Sequence, residues 1–362
     1  MNTILLLFGG KSSEYEVSLS SATGAYQNID RRKYNVLLCG ITKKDGRFWL
    51  YEDDPAKIAD GTWTDGRKVP LSVDLSDGSL SVDRDGVIEH LRPDAVLPMI
   101  HGKYCEDGTL QGLFAVAGIP VVGCDCQSSA VCMDKAVTKA IVAIETGLKT
   151  ARGIVVKAEN AGTPAEIDAV RRAAEEAFGY PMFVKPARAG SSVGVNKVKK
   201  PEDFARALAL AFAEDTKILV EEAVNGREIE VAVLEEHGRY TVAHPAEIDC
   251  GSSEFYDYET KYISDASSFY LPARISPEKQ EEVRGHAEAI FRALDCRGLA
   301  RVDFFCTRDG EEFVFNEINT LPGFTPISMY PKMMVNEGIA YGELLDRLIQ
   351  TAIGGGEAPA GK

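Results

Sequence analysis

Residues 301–319 read RVDFFCTRDGEEFVFNEIN, and this stretch decides how the chain is built. Two apolar runs, 298–306 and 312–318, flank a polar turn, which is the pattern of adjoining strands. Residues i and i+2 of a strand share a face. Arg301 and Asp303 therefore stand together on the first strand, and Glu317 and Asn319 on the end of the second. Two readings fit. Either the polar residues pair across strands on a solvated face, or Asp303, Glu317 and Asn319 converge as oxygen ligands for Mg²⁺, which takes carboxylates, amides, water and phosphate. The apolar neighbours Val302, Phe304, Phe305, Phe313, Val314 and Phe315 favour the second reading. The turn Pro322-Gly323-Phe324-Thr325 then brings a backbone and a helix start, with Ser328, toward the same region.

Working outward, Val184-Lys185-Pro186 ends an apolar strand on a cation, and Gly190-Ser191-Ser192-Val193-Gly194 follows. Such a Gly/Ser turn offers N–H groups and hydroxyls to a polyphosphate. A plain hairpin turn with a snorkelling Lys is the alternative. At the N-terminus a strand over 3–8 runs into Gly9-Gly10-Lys11-Ser12. A Walker A loop would need glycine at position 5, where Leu5 stands, so that reading fails. A glycine turn remains, leading into a helix over 14–29 with Ser12 and Ser13 as candidate caps. Glu14 either complements the helix dipole or sits beside a ligand's ammonium. His101 follows a strand over 95–100, where a lone His is more often structural, and Glu106-Asp107 is expected to cap a helix over 107–117.

The rest of the chain fills in around these points. Strands at 3–8, 34–41 and 95–100 alternate with helices, and residues 44–90 carry the Asp-Gly signals of short hairpins and loops. A helix over 128–146, strands at 153–157, 181–185, 193–198 and 217–221, and helices at 164–178 and 201–213 make a small α+β unit. Strands at 228–235 and 240–248, a helix over 277–294 and two closing helices follow. The expected fold is α/β and α+β in three domains: 1–125, a doubly wound parallel sheet; 126–221; and 222–353. Residues 250–270 are polar, aromatic and aperiodic, and read as a lid loop. Residues 354–362, rich in Gly, Ala and Pro, read as a disordered tail.

Composition narrows the function. The 362 residues carry 40 Lys plus Arg against 55 Asp plus Glu, a formal charge of −15. So acidic a chain disfavours nucleic acid and anionic membranes as partners, while leaving room for a small anion held by local cations. No apolar run approaches the roughly 20 residues of a membrane span, and residues 1–10 lack the features of a signal peptide. Of eight cysteines, only Cys124, Cys126 and Cys132 cluster. No His lies near them, and buried thiols in a reducing cytoplasm are the better reading.

Taken together, the motifs resemble the D-alanine–D-alanine ligase family of ATP-grasp enzymes. They are FGGKSSEYEVSLSSA from Phe8, HGKYCEDGTLQG from His101, MDK from Met133, VKPARAGSSVG from Val184, EFYDYETKY from Glu254, RVD from Arg301 and EINTLPGFT from Glu317. Each is weak alone, but seven in the family's order are specific. The resemblance implies ATP between the second and third domains, with Lys135, Lys185 and Ser192 at its phosphates. Glu221 and the backbone near Val224 would read adenine, and Glu228 the ribose. Asp303, Glu317 and Asn319 would hold two Mg²⁺ ions, with Mn²⁺ as a substitute. Glu14 would bind the first D-alanine's ammonium in a set with Ser191 and Tyr262, and His101 would lie near its carboxylate. Arg301 would stabilise the transferred phosphoryl, Lys261 would reach it from the lid, and Ser328 with Gly323 would hold the second substrate's carboxylate.

The implied product is D-alanyl-D-alanine, made through an acylphosphate for peptidoglycan precursors by a cytoplasmic homodimer. Tyr15, Cys105 and Ala189 depart from common family residues. CMDK, VGCD and LPARI resemble the vancomycin-resistance branch that makes D-alanyl-D-serine, which is the alternative product. Tyr262 accompanies amine nucleophiles in the family, against D-lactate. A catalytically silent ATP-grasp binding protein would be expected to lose a metal ligand or the arginine, and all are present. A ligase for a different acid is disfavoured by the intact Glu14, Ser191 and Tyr262 set.

Overall fold

The computed structural model describes residues 1–190, 192–249, 268–310, 312–325 and 327–354. In the first part, β1 (Asn2–Gly9), α1 (Tyr15–Asn28), β2 (Tyr34–Ile41), β3 (Phe48–Tyr51), β4 (Lys68–Val73), β5 (Leu80–Arg84), β6 (Val87–Leu91) and β7 (Ala95–Pro98) precede α2 (Thr109–Val116). The strands form one sheet in the order β6-β5-β4-β3-β2-β1-β7. Only β2, β1 and β7 run parallel. The Asp-Gly-rich segment extends the same sheet as an antiparallel meander, so the parallel, doubly wound expectation holds for three strands only. Its close-spaced turns favour hairpins, which join antiparallel neighbours, whereas a parallel pair needs a long crossover.

β1 is apolar on both faces. Ile4, Leu6 and Phe8 enter one core and Leu5 and Leu7 another, as befits a strand covered on both sides. α1 lies close on β1 because its inner face is small. Its buried Ser18 hydroxyl donates to the Met99 carbonyl (2.5 Å) and accepts from the Gly9 N–H (2.8 Å). That one residue ties the helix to the carboxyl ends of β1 and β7. Open α/β sheets bind ligands at such ends. Gly9 has φ +87°, and a Cβ there would stand 2.3 Å from the Ile41 carbonyl oxygen, so only glycine fits.

The second part contains α3 (Cys126–Met133), α4 (Lys135–Thr146), β8 (Gly153–Lys157), α5 (Pro164–Phe178), β9 (Met182–Pro186), β10 (Asn196–Val198), α6 (Pro201–Phe212) and β11 (Lys217–Glu222). The helix expected over 128–146 is two helices. Asp134 is extended, ends α3, and accepts from the Val137 N–H to start α4. The antiparallel sheet, β10-β9-β11-β8, packs Val156, Met182, Val184, Val198, Ile218 and Val220 against α5 and α6. Strand alternation turns Phe183, Lys185 and Glu221 to the opposite face.

The third part contains β12 (Gly226–Glu236), β13 (Arg239–Val242), β14 (Ala246–Asp249), β15 (Ser268–Tyr270), α7 (Pro277–Ala293), β16 (Leu299–Thr307), β17 (Phe313–Asn319), α8 (Met329–Asn336) and α9 (Tyr341–Gly354). The strand expected over 240–248 is broken at His244-Pro245, since proline has no N–H for the ladder. β13 and β14 pair in turn with the two ends of β12. The sheet order is β15-β14-β12-β16-β17. α7 covers one face, where Val283, Ala287, Ile290 and Phe291 meet Val302, Phe304 and Phe315. Cys132 and Cys296 lie in this core with their sulfurs 3.6 Å apart, and Cys124 is buried beside Arg297, whereas Cys126 is exposed.

Candidate active site

A cleft of about 860 Å³ opens between the four-stranded and six-stranded sheets. Lys185 and Glu221 line it from the first sheet, Glu228, Asp303 and Glu317 from the second, and Val224 from the link between them. Register places Glu230, Asp303 and Glu317 in one row across β12, β16 and β17. The Arg301 guanidinium holds Asp303 through two bonds of 2.8 and 2.7 Å and lies 3.4 Å from Glu230. Asn319 donates to the same Asp303 carboxylate (2.9 Å). Lys135 Nζ reaches Glu317 at 3.1 Å and the Ala189 carbonyl at 2.8 Å. Among the described residues no group of three or more His, Cys, Asp and Glu side chains is gathered for a metal. The predicted set has two carboxylates and an amide, donors of the hard, oxygen type that suits Mg²⁺.

β17 reaches this arrangement through a bulge. Phe304 pairs with Phe315 while Asp303 pairs with Glu317, so Asn316 is an extra residue. Phe313, Phe315 and Ile318 all enter the core, which strict alternation forbids. The bulge shifts the parity and turns Glu317 to the cleft side.

Gly190 of the cleft lies against Glu14, at the start of α1 beside the seven-stranded sheet. Glu14 is buried at the N-cap of α1 but makes no side-chain cap bond. Its carboxylate instead lies against Gly102 and Gly190, where added Cβ atoms would meet Oε2 at 2.4 and 2.8 Å. The dipole reading alone does not account for that direction. The Ser12 hydroxyl accepts from the Glu14 N–H (3.0 Å) and donates to the His101 carbonyl (2.8 Å) rather than capping the helix side-on. His101 is buried, with Nδ1 3.0 Å from the Leu321 carbonyl and Nε2 2.9 Å from the Ser21 hydroxyl. A donating Nδ1–H leaves Nε2 as acceptor. Burial depresses the imidazole pKa, partly opposed by the Glu14 charge, so the ring is neutral at pH 7. Ser21 also accepts from the Phe324 N–H (3.3 Å), which latches α1 to the Pro322-Gly323 turn. Ser328 Oγ accepts from the Thr325 N–H (3.1 Å) and lies 2.7 Å from the position of a Cβ on Gly323.

The D-ala D-ala ligase N-terminus profile matches residues 3–124 and the D-ala D-ala ligase C-terminus profile matches residues 143–350. The chain belongs to the D-alanine–D-alanine ligase family. It is 44% identical to the D-alanine–D-alanine ligase of Caldicellulosiruptor bescii over 97% of this chain and 94% of that one. Identity to the Clostridium novyi ligase is 43%, covering 97% of each chain. Among solved structures, the VanG D-Ala:D-Ser ligase of Enterococcus faecalis superposes with a TM-score of 0.86 at 40% identity, covering 97% of this chain and 99% of that one. The D-alanine–D-alanine ligase of Coxiella burnetii gives 0.82 at 32%, covering 98% and 94%. The fold is that of the ATP-grasp ligases.

Within this ligase, Ser191, Lys261 and Tyr262 lie outside the described residues, as do 250–267 of the expected lid and 355–362 of the tail. Ser192 lines the cleft with φ +58°. Three further residues contact site residues or turn toward them without having been singled out there from sequence. Glu230 stands beside Asp303. Lys139 and Lys185 share the two oxygens of Glu221. Glu106 does not join Asp107 at the start of α2, whose N-cap, Gly108, makes no side-chain bond. Asp107 accepts from Tyr104 and Thr109, while Glu106 turns inward and accepts from the Gly102 N–H (2.9 Å). The i, i+4 spacing of Lys135 and Lys139 on one helix face was the available signal for Lys139.

Burial, and then the Glu14 charge, push the Glu106 carboxyl up to about 8. It is therefore mostly protonated at neutral pH, whereas in the unfolded chain it would ionise near the ordinary carboxylate value. Between those two values the folded state binds more protons, so stability contributed by this group falls as pH rises. Glu106→Gln mimics the neutral acid. Its melting temperature is expected to gain on wild type from about pH 5 to about pH 8. A gap that stays constant across that range would show that Glu106 ionises normally.

Proposed function

We propose that this ligase joins D-alanine to a second D-alanine, driven by ATP, for peptidoglycan precursors in the cytoplasm. The observation that carries the reading is the convergence of Lys135, Lys185, Glu221, Asp303 and Glu317 on one cleft, with Arg301 bonded to Asp303 and Glu14 against the cleft residue Gly190. A carboxylate is a poor electrophile until phosphorylated. Lys135 and Lys185 stand where nucleotide phosphates would bring negative charge, and Arg301 where the transferred phosphoryl would spread it. Glu221, the Val224 backbone and Glu228 would take adenine and ribose. Asp303, Glu317 and Asn319 would hold two Mg²⁺ ions, or Mn²⁺ in their place, which supply charge neutralisation at the phosphates.

Glu14 would receive the first D-alanine's ammonium, with Ser191 and Tyr262. Neutral His101, fixed on both nitrogens, would stand near its carboxylate. Phosphorylation there gives an acylphosphate, and the second amine displaces phosphate. Ser328 and the Gly323 backbone would fix the second carboxylate, and Lys261 with the rest of 250–270 would complete and cover the site. The three sheets support domains at 1–125, 126–221 and 222–353. A homodimer is part of the proposal. Among the described residues, no helix is long and apolar enough to cross a membrane.

Incubation with ATP and D-alanine alone, and with D-alanine plus D-serine, tests the reading, with products identified by mass. D-alanyl-D-alanine from D-alanine alone is expected. The likeness to a D-Ala:D-Ser ligase supports a second reading, which dominant D-alanyl-D-serine in the mixture would establish. ADP release without either dipeptide would overturn both.

A further inference from the structure

We infer that Lys139 is a positioning residue for nucleotide recognition: it keeps the Glu221 carboxylate charged and oriented when Lys185 leaves it for the nucleotide. This deepens the proposed function and rests on its placement of Lys185 at phosphate and Glu221 at adenine. Only two lysines among the described residues are fully buried, Lys139 and Lys185, at 6% and 8% exposure. Both end on one acid. Lys139 Nζ bonds Glu221 Oε1 and Lys185 Nζ bonds Glu221 Oε2.

The two cations are not equivalent. Lys185 lines the cleft together with Glu221, and Lys139 does not. Lys139 sits one turn along α4 from Lys135, behind the carboxylate. A polyphosphate entering the cleft meets Lys185, which lines it, and not Lys139, which does not. Were Lys185 the sole partner, its departure would strand a buried carboxylate, at 3% exposure, and burying an uncompensated charge is costly. Glu221 would then hold Lys185 back, or bind a proton and become a weaker acceptor for a 6-amino group. Burial alone would raise the Glu221 pKa, yet the two ammonium charges leave it below the ordinary value. A second, inaccessible lysine allows the handover.

The test compares Lys139→Met, Lys139→Arg and Glu221→Gln, each in the full-length enzyme with saturating D-alanine. Lys139→Met is expected to raise the KM for ATP by roughly 10-fold or more, since a buried charge loses its partner. Turnover at saturating ATP should fall less than threefold, and the KM for D-alanine should not move. The preference for ATP over inosine triphosphate, which lacks the 6-amino group, should shrink toward unity. Lys139→Arg should restore most of both. In a Glu221→Gln background, Lys139→Met should add little. Lys139→Gln, which keeps a donor without the charge, carries the same test where the Met variant does not fold. Unchanged ATP KM and base preference in Lys139→Met, with Glu221→Gln impaired, would overturn the inference alone. If Glu221→Gln itself leaves ATP and inosine triphosphate discrimination intact, the adenine reading fails instead. Equal losses toward ATP and D-alanine would reduce Lys139 to a packing role.

Discussion

Asp303→Asn is expected to lower turnover by roughly a hundredfold or more, because one carboxylate of the proposed metal set loses its charge. The change is nearly isosteric, and Asp303 is held by Arg301 through two bonds and by Asn319 through one. The fold should persist, with an unchanged circular-dichroism spectrum, because Arg301 keeps Glu230 as a counter-ion; the melting temperature should fall, since an amide NH2 replaces one of the oxygens that accept from Arg301 and Asn319. Glu317→Gln, on the neighbouring strand and in contact with Lys135, should behave alike. The measurement is turnover at saturating Mg²⁺, ATP and D-alanine. A rate within about threefold of wild type for either variant would remove that side chain from the metal set.

Arg301→Met carries a second large effect, on stability as well as on rate. The guanidinium is the cation that touches both Asp303 and Glu230, and all three side chains are largely buried. Removing one member of a buried ionic group costs about 3–5 kcal/mol, because the remaining charges keep their desolvation penalty without its compensation. Turnover should fall along with stability, since the Arg301 guanidinium lies against two of the carboxylates in the row. Glu230→Gln in the Arg301→Met background should recover part of the melting temperature and none of the turnover. Denaturant unfolding and steady-state kinetics on the single and double variants separate the two effects. A double variant that regains activity would make Arg301 a counter-ion to Glu230 only.

How much of this was legible differs from element to element. The strands at 3–8 and 181–185 were readable as unbroken apolar runs, and the shared face of Arg301 and Asp303 from the strand's period of two. Strand geometry at β9 already turns Lys185 away from Val184. The helix break at Asp134 was hidden, because 128–146 keeps helical spacing across it. The break depends on Asp134 capping α4 while its carboxylate also takes Lys217 at 2.8 and 2.9 Å, a contact across 83 residues. Glu106 was read with its neighbour Asp107 as a helix-capping pair. Whether such an acid caps or turns inward depends on the packing of Gly102 and Gly190, far apart in the chain.

By itself the sequence determined the types of residue at the site, the strands that carry them and, through the order of seven motifs, the family. Local period and composition suffice for these, since each is a property of a short segment or of a string. The tertiary structure decided which of those residues meet. Lys139 and Glu221 become partners only when α4, packed on α7 and β17, is brought against the end of β11, and His101 joins Ser21 and Leu321 across three segments. Along β17, alternation alone would put Phe313, Phe315, Glu317 and Asn319 on one face, half core and half catalytic. The bulge at Asn316 against β16 resolves that conflict. It forms because burying the phenylalanines and leaving the acids at the cleft are both favourable, and only a shift in register satisfies them together.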